Sequence, residues 1–291
     1  MKLFRFQTYC KPELLFRPLQ LIKRLLWSRR WKGKTGSVTL PWGLKMNVDA
    51  RDRIGESITK IGVYDLVVLD SLKRLTGAGE ICLDIGANEG LMTGVLAKAV
   101  GKTGTVRSFE PHPEIFAKLA DHCSSWSAND SSIGKILCEQ IALSDQAGTA
   151  SLGMPEEFEG NRGTASLEET GGEGIQVKTA RLDDLLGPDE EIGVLKIDVE
   201  GHELSVFKGA EKAIKEGRIR DIIFEEHSTY PSDVSQFLED AGYSIFLLHK
   251  GLVGPVLHPA HTPPAILPNY LATLDVTRAL KRFKGYGYRV L

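Results

Sequence analysis

The chain has 291 residues, 42% of them hydrophobic and 25% charged, with a net charge of −2. Such values belong to a globular protein with a sizeable core; they exclude a disordered chain, and the net charge leaves no footprint for nucleic acid. No apolar run reaches the roughly 18 residues of a membrane span.

Charge is unevenly spread. Residues 1–34 hold ten Lys or Arg against one acid, Glu13, so this end carries +9 and the rest of the chain −11. Within it, "LLFRPLQLIKRLLW" sets Leu19, Ile22 and Leu26 on one helical face, with Leu21 and Leu25 beside it. Lys23, Arg24, Arg29 and Arg30 fall outside that stripe. A basic amphipathic helix is expected within residues 1–36, packed on the protein's own core or docked on an acidic membrane surface. Pro12, Glu13, Arg17 and Pro18 interrupt any signal-peptide core. Cys10, Cys82, Cys123 and Cys138 form no CxxC pair, as expected of reduced thiols in a cytoplasmic protein, here one able to touch the inner face of a membrane.

Residues 37–79 read as a hairpin around Pro41-Trp42-Gly43, then one helix over "ESITKIGVYDLVVLDSLKRL" that ends at "TGAG", both packed on the core. From Glu80 onward strand and helix patterns alternate. Strands are expected at "EICLDIG", "GTVRSFE", "ILCEQIALS", "GVLKIDVE", "DIIFEEH", "YSIFLLH" and "NYLATLD", and helices at "EGLMTGVLAKAV", "PEIFAKLADHCSSW", "HELSVFKGAEKAIKEG" and "DVSQFLEDAG". Residues 80–291 are thus one α/β domain with a mostly parallel sheet and helices on both faces. Residues 148–178 read as a short hairpin and a loop, either a surface insertion or a substrate-side flap. "HKGLVGPVLHPAHTPPAILPN", with five prolines, reads as an irregular link between the last two strands.

Ligands of such sheets sit beyond the carboxyl ends of the strands, so the last residue of each strand matters most. The first strand runs into Asp84-Ile85-Gly86-Ala87-Asn88-Glu89-Gly90. Gly86 and Gly90 admit a ligand close to the backbone, and the following helix offers free N–H groups. A dinucleotide loop would carry a glycine where Asn88 stands, and Asp84 would repel a pyrophosphate. Beside an ammonium or sulfonium a carboxylate gains on the order of 1–4 kcal/mol, and S-adenosyl-L-methionine carries both cations. Glu110 ends the second strand, 26 positions after Asp84, where an acid accepts both hydrogen bonds of a ribose diol. Pro111 and Pro113 fix the turn that follows. Ser144 and Asp145, after the third strand, are set to meet an adenine edge or simply to make a turn. The fourth strand ends in "IDVEGHE", with Asp198, Glu200, His202 and Glu203 within six positions. Asp198 is the first choice to line a reacting centre, and His202 is a proton acceptor or a structural residue. Glu203 suits the positive start of the next helix equally well. Glu225, Glu226 and His227 end the fifth strand. No His spacing supports a metal site.

"LDIGANEG", "SFEPHPEIFAKL", "IALSDQAGTASL", "VKTARLDDLL" and "LKIDVEGHELSVFKGA" together resemble the FkbM-type family of S-adenosylmethionine-dependent methyltransferases. The upstream "IGVYD" is similar to that family's G-x-Y-[ED] element, and "NYLATLD" to its closing strand. The resemblance implies a Rossmann-like class I methyltransferase fold: a seven-stranded, mostly parallel sheet with helices on both faces and the last strand antiparallel. It implies that Asp84, Gly86, Ala87, Asn88 and Gly90 hold the methionine end of the cofactor, joined by Tyr64 and Asp198. Glu110 and Pro111 then adjoin the ribose, Ala142, Ser144 and Asp145 surround the adenine, and Asp198 and Glu200 face the reacting centre with His202. The implied reaction is O-methylation of a sugar hydroxyl, on a glycan or glycolipid, or of a secondary metabolite. The alternatives are a catalytically silent scaffold and a nicotinamide-dependent oxidoreductase, which release of the demethylated cofactor and titration with NADH would tell apart. No motif names the acceptor or sets an oligomeric state.

Overall fold

The computed structural model describes residues 31, 33–153, 166–168, 174–252, 254–262 and 269–290, together with Ile22 and Leu26. Most of the basic amphipathic segment, and with it Cys10, lies outside the described residues. Ile22 and Leu26 are helical and exposed.

The first described element is the expected hairpin. β1 (Thr35–Thr39) pairs antiparallel with β2 (Lys45–Asp49). Two helices follow where one was expected, α1 (Arg53–Ile61) and α2 (Leu66–Leu75). Asp52 caps α1, accepting from the backbone N–H of Ile54 and Gly55. Gly62 ends it with φ +91°, a conformation that costs glycine little, and Asp65 opens α2 by accepting from Val68 N at 3.2 Å.

The central sheet then builds outward. β3 (Ile81–Ile85), α3 (Leu91–Val100), β4 (Thr105–Phe109), α4 (Pro113–Asn129) and β5 (Lys135–Glu139) fill one half. "ILCEQIALS" is not one strand: the chain leaves the sheet after Glu139. β6 (Ala142–Leu143) instead pairs with β9 (Ile175–Ala180) in a small second sheet with β7 (Gly148–Gly153) and β8 (Ser166–Glu168). After α5 (Leu182–Leu185), β10 (Ile192–Ile197) returns beside β3. The expected single helix after it is two short ones, α6 (Glu203–Gly209) and α7 (Glu211–Lys215), divided at Ala210. β11 (Ile219–Glu225), α8 (Asp233–Asp240), β12 (Ser244–Gly251), β13 (Gly254–Pro259), β14 (Asn269–Thr273) and α9 (Val276–Phe283) complete the chain.

The order is β13-β12-β14-β11-β10-β3-β4-β5. β5, β4, β3, β10 and β11 are parallel, and β14 runs antiparallel to both β11 and β12. This is the expected seven-stranded sheet with its last strand reversed. The proline-rich stretch adds an eighth strand, β13, whose place on the open edge tolerates Pro255 and Pro259. Side chains alternate between two cores, Cys82 and Val194 toward α2 and α3, Leu83 and Leu195 toward α6 and α7. Leu44, Met46 and Val48 of the hairpin share the first of these cores. Inside it Asp70 and Arg74 pair at 2.5 Å, both fully buried. Asp70 also accepts from Val290 N at 3.0 Å, and Arg74 donates to Gly287 O at 2.6 Å, which ties the C-terminal residues to α2.

Candidate active site

The strand order reverses between β3 and β10, and there a cavity of about 320 Å³ opens beyond the carboxyl edge of the sheet. Both flanking loops reach it. Gly86 N and Ala87 N each donate to Phe109 O at 3.0 Å, and Asp198 N donates to Ile85 O at 3.2 Å. Gly86 has φ +70°, and a Cβ added there would lie 1.9 Å from Asp198 O, so only glycine lets the two loops cross. Among the described residues, three non-glycine residues take positive φ: Asp65 (42°), Asn88 (50°) and Glu200 (50°). All three line this cavity. Backbone strain costs on the order of 1–3 kcal/mol per residue and gathers where a site over-determines it.

The cavity has three parts. Phe109, Pro111, Ile115, Ile141, Ala142 and Leu143 make an apolar slot at the β4 side. Glu110 stands next to it with both oxygens anchored: Oε2 accepts from Asn88 N and Oε1 from His112 N, each at 2.9 Å. Burial pushes its carboxyl up to about 7 in spite of those bonds. The far part is acidic, with Asp65, Asp198, Glu200 and Glu225 facing Arg53, Tyr64, His227 and Asn269. Burial, then the charge of Asp198, lifts Glu225 to about 7 and raises Glu200 as well. Burial likewise raises Asp65 and Tyr64. An apolar slot, a fixed carboxylate and an anionic end can seat a planar ring, a diol and a cation in that order.

Of the residues singled out from the sequence, Tyr64, Gly86, Ala87, Asn88, Glu110, Pro111, Ala142, Asp198, Glu200 and His202 line the cavity. Asp84 does not reach its wall. It is fully buried beneath the glycine loop, accepting from Thr93 Oγ1 at 2.6 Å. Gly90 caps α3 behind the loop, and a Cβ there would meet Leu119 at 2.8 Å. Ser144 and Asp145 also stand behind the wall. Ser144 Oγ lies 2.9 Å from His202 Nε2 and 3.2 Å from Asp145 Oδ1, so that ring nitrogen of His202 has a partner. Glu203 does not line the cavity; it opens α6 and accepts from Val199 N at 3.2 Å and Gly201 N at 3.4 Å, so its bonds close the turn before the helix.

From the sequence, Lys196, Arg53 and Asn269 have no part in the site, and Asp65 stands only as the acid of "IGVYD". Lys196 left a signal, a charge within a strand apolar on both faces and two positions from Asp198. Asp65 left one too, as the acid that restarts a helix after Gly62. Among the described residues, no group of three or more His, Cys, Asp and Glu could hold a metal ion, and no helix is long and apolar enough to cross a membrane.

Sheet order, reversed last strand and a cavity at the switch point define a class I methyltransferase fold. The chain belongs to the FkbM methyltransferase family, whose domain matches residues 84–245. It is similar to the hexuronic acid methyltransferase AglP of Haloferax volcanii, 27% identical over 237 residues that cover 78% of this chain and 92% of that one. It is also similar to the methyltransferase sdnD of Sordaria araneosa, 30% identical over 195 residues that cover 56% and 73%. A crystal structure of the methyltransferase FkbM from Methylobacillus flagellatus KT superposes with a TM-score of 0.44 at 19% identity, covering 66% of this chain and 43% of that one.

Proposed function

We propose that this methyltransferase uses S-adenosyl-L-methionine and methylates a hydroxyl group of a sugar or a similarly hydroxylated metabolite. The observation that carries the donor is Glu110, a buried carboxylate fixed by two backbone N–H groups between an apolar slot and an anionic end. Its remaining lone pairs suit a ribose diol, the slot suits adenine, and the acidic end suits an ammonium and a sulfonium. When bound, that donor supplies an electrophilic methyl group. The chain itself orients the partners, which is worth roughly 7–11 kcal/mol where geometry is tight. Asp198 is the group to accept the proton that the hydroxyl loses, with Glu200 beside it and His202 behind.

The sugar named for the Haloferax volcanii relative supports a sugar acceptor in kind. The basic segment over residues 1–34 suits an anionic membrane carrying such an acceptor; equal liposome binding with and without it would remove that part. Calorimetric titration with S-adenosylmethionine and S-adenosylhomocysteine tests the donor, and an absence of heat for both would sink it. Asp198→Ala is expected to cut turnover roughly 10²–10⁴-fold. Unchanged turnover with an accepted substrate would take Asp198 out of the mechanism.

A further inference from the structure

Beneath the glycine loop lies a cation to which the proposal above gives no part. Lys196 is the penultimate residue of β10, 4% exposed, and directly opposite Asp84 of β3 in the parallel pairing. The same row continues through Ser108 of β4 to Cys138 of β5. Lys196 Nζ lies 3.6 Å from Asp84 Oδ1 and 3.6 Å from Asp198 Oδ2, and it donates to Gly86 O at 2.9 Å. Three segments therefore converge on one ammonium: the end of β3, the glycine loop and the segment after β10. Thr93 Oγ1 secures Asp84 from the other side, and 2.9 Å separates it from Ser108 Oγ.

Packing alone does not account for a lysine here. An apolar side chain of similar volume would fill the place without the cost of burying a charge. The groups that face it from neighbouring elements are mostly acids. They are Asp84 of β3 and Asp198 after β10, in contact with it, and Glu110 after β4 and Asp65 at the head of α2, which feel its charge; Glu200 after β10 and Glu225 at the end of β11 line the same cavity. Tyr64, and the cations Arg53 and His227, stand further round the same cavity. One buried ammonium thus lies between two carboxylates that would otherwise repel each other, and the three groups together keep one negative charge.

We propose that Lys196 is the positioning residue of the donor site, holding Asp84, Asp198 and the Gly86 carbonyl in one arrangement so that Asp198 and the glycine loop are set for the cationic end of the donor. This rests on the S-adenosylmethionine reading. Burial works against the ammonium, but the charges of Asp198 and Asp84 outweigh it and leave Lys196 above the ordinary lysine value. Burial raises the carboxyls of Asp65 and Glu110, and the charge of Lys196 offsets part of that rise.

The test is calorimetric titration of the full chain with S-adenosylhomocysteine between about pH 5 and pH 9, on wild type, Lys196→Met, Lys196→Gln and Lys196→Arg. Wild type comes first: if it binds neither S-adenosylhomocysteine nor S-adenosylmethionine, the donor reading fails, whatever Lys196 does. Given wild-type binding, the neutral variants are expected to lose roughly 10–100-fold in affinity near neutral pH. The acid limb of their binding is expected to move up by about one pH unit, because carboxylates without a neighbouring cation hold their protons more tightly. Lys196→Arg is expected to return the limb to its wild-type position. A uniform loss, or no loss, with an unmoved limb would overturn the proposal, since that is what packing alone predicts. Failure of both neutral variants to fold, seen by thermal unfolding, would overturn it too, by making Lys196 a residue of stability rather than of the donor site.

Discussion

Two clusters of charge sit at opposite ends of the same sheet, and they are built differently. At the amino end Arg220 and Arg278 meet Glu80 and Asp221. Arg220 lies 2.6 Å from Glu80 and 2.9 Å from Asp221, Arg278 lies 2.8 Å from Asp221, and Thr273 Oγ1 donates to Asp221 at 2.7 Å. Two guanidiniums offset two carboxylates, and the arginines draw the Glu80 carboxyl below its usual range in spite of burial. At the carboxyl end Asp84 and Asp198 each lie 3.6 Å from Lys196, and Asp65, Glu110, Glu200 and Glu225 line the same cavity, with Arg53 and His227. Carboxylates outnumber cations there, and burial raises several of them. Balanced charge fastens the fold. Unbalanced charge costs stability, and it is kept where a cationic ligand can repay it.

Substitutions separate the two kinds of charge, and the largest effect should come from a third, balanced pair, Asp70 and Arg74 inside the core. Asp70→Ala leaves the buried Arg74 guanidinium without a counter-charge, its remaining partners being carbonyls, and is expected to cost about 3–5 kcal/mol in denaturant unfolding. The folded fraction should still bind S-adenosylhomocysteine as wild type does. Glu110→Gln works in the opposite sense. It is expected to cost about 1.5–3 kcal/mol of S-adenosylhomocysteine affinity by calorimetry, with a smaller loss of stability at pH 8, since the amide nitrogen cannot accept from one of the two backbone N–H groups. A drop in stability equal to the drop in affinity would erase the distinction between balanced and unbalanced charge.

The smallest effect concerns pH. The Glu225 carboxyl is raised from 4.5 to about 7, first by burial and then by the charge of Asp198. Its proton is held more tightly in the folded than in the unfolded chain, so ionisation opposes folding. Its contribution is therefore fully favourable below about pH 4.5 and is lost as pH rises through about 7. Glu225→Gln is expected to stabilise the protein by on the order of 1–2 kcal/mol at pH 8 and to leave stability at pH 4 unchanged. Glu80 has the other sign: its contribution is present above its unfolded value and fades as pH falls through the lower folded one.

Most of the sheet was legible in the sequence because β3, β4, β10 and β11 are short apolar runs that end in charge. The loop after β3 and the acid after β4 were legible for the same reason: chemistry gathers where such strands stop. Other features depend on contacts far away in the chain. That Ala142 and Leu143 leave the main sheet is fixed by Thr179 and Ala180, their partners on β9. That Ser144 stands behind the cavity wall is fixed by His202, 58 positions on. Lys196 is a third kind of case. Its charge was visible within the strand, but its meaning required Asp84, which meets it only through the parallel pairing.

The hairpin bears on how an acceptor would be found. His122 accepts from Asn47 N at 3.0 Å and donates to Glu89 O at 2.8 Å, which fixes β2 against the glycine loop. Ala50 N donates to Lys34 O at 2.9 Å, and Arg53 and Ile54, a few residues on, line the cavity. The basic segment therefore joins the fold at the rim of the site. If that segment is a tether, its anchorage lies beside the mouth it serves. Acceptors confined to the same surface would then be sampled at a local concentration set by a short leash rather than by the bulk.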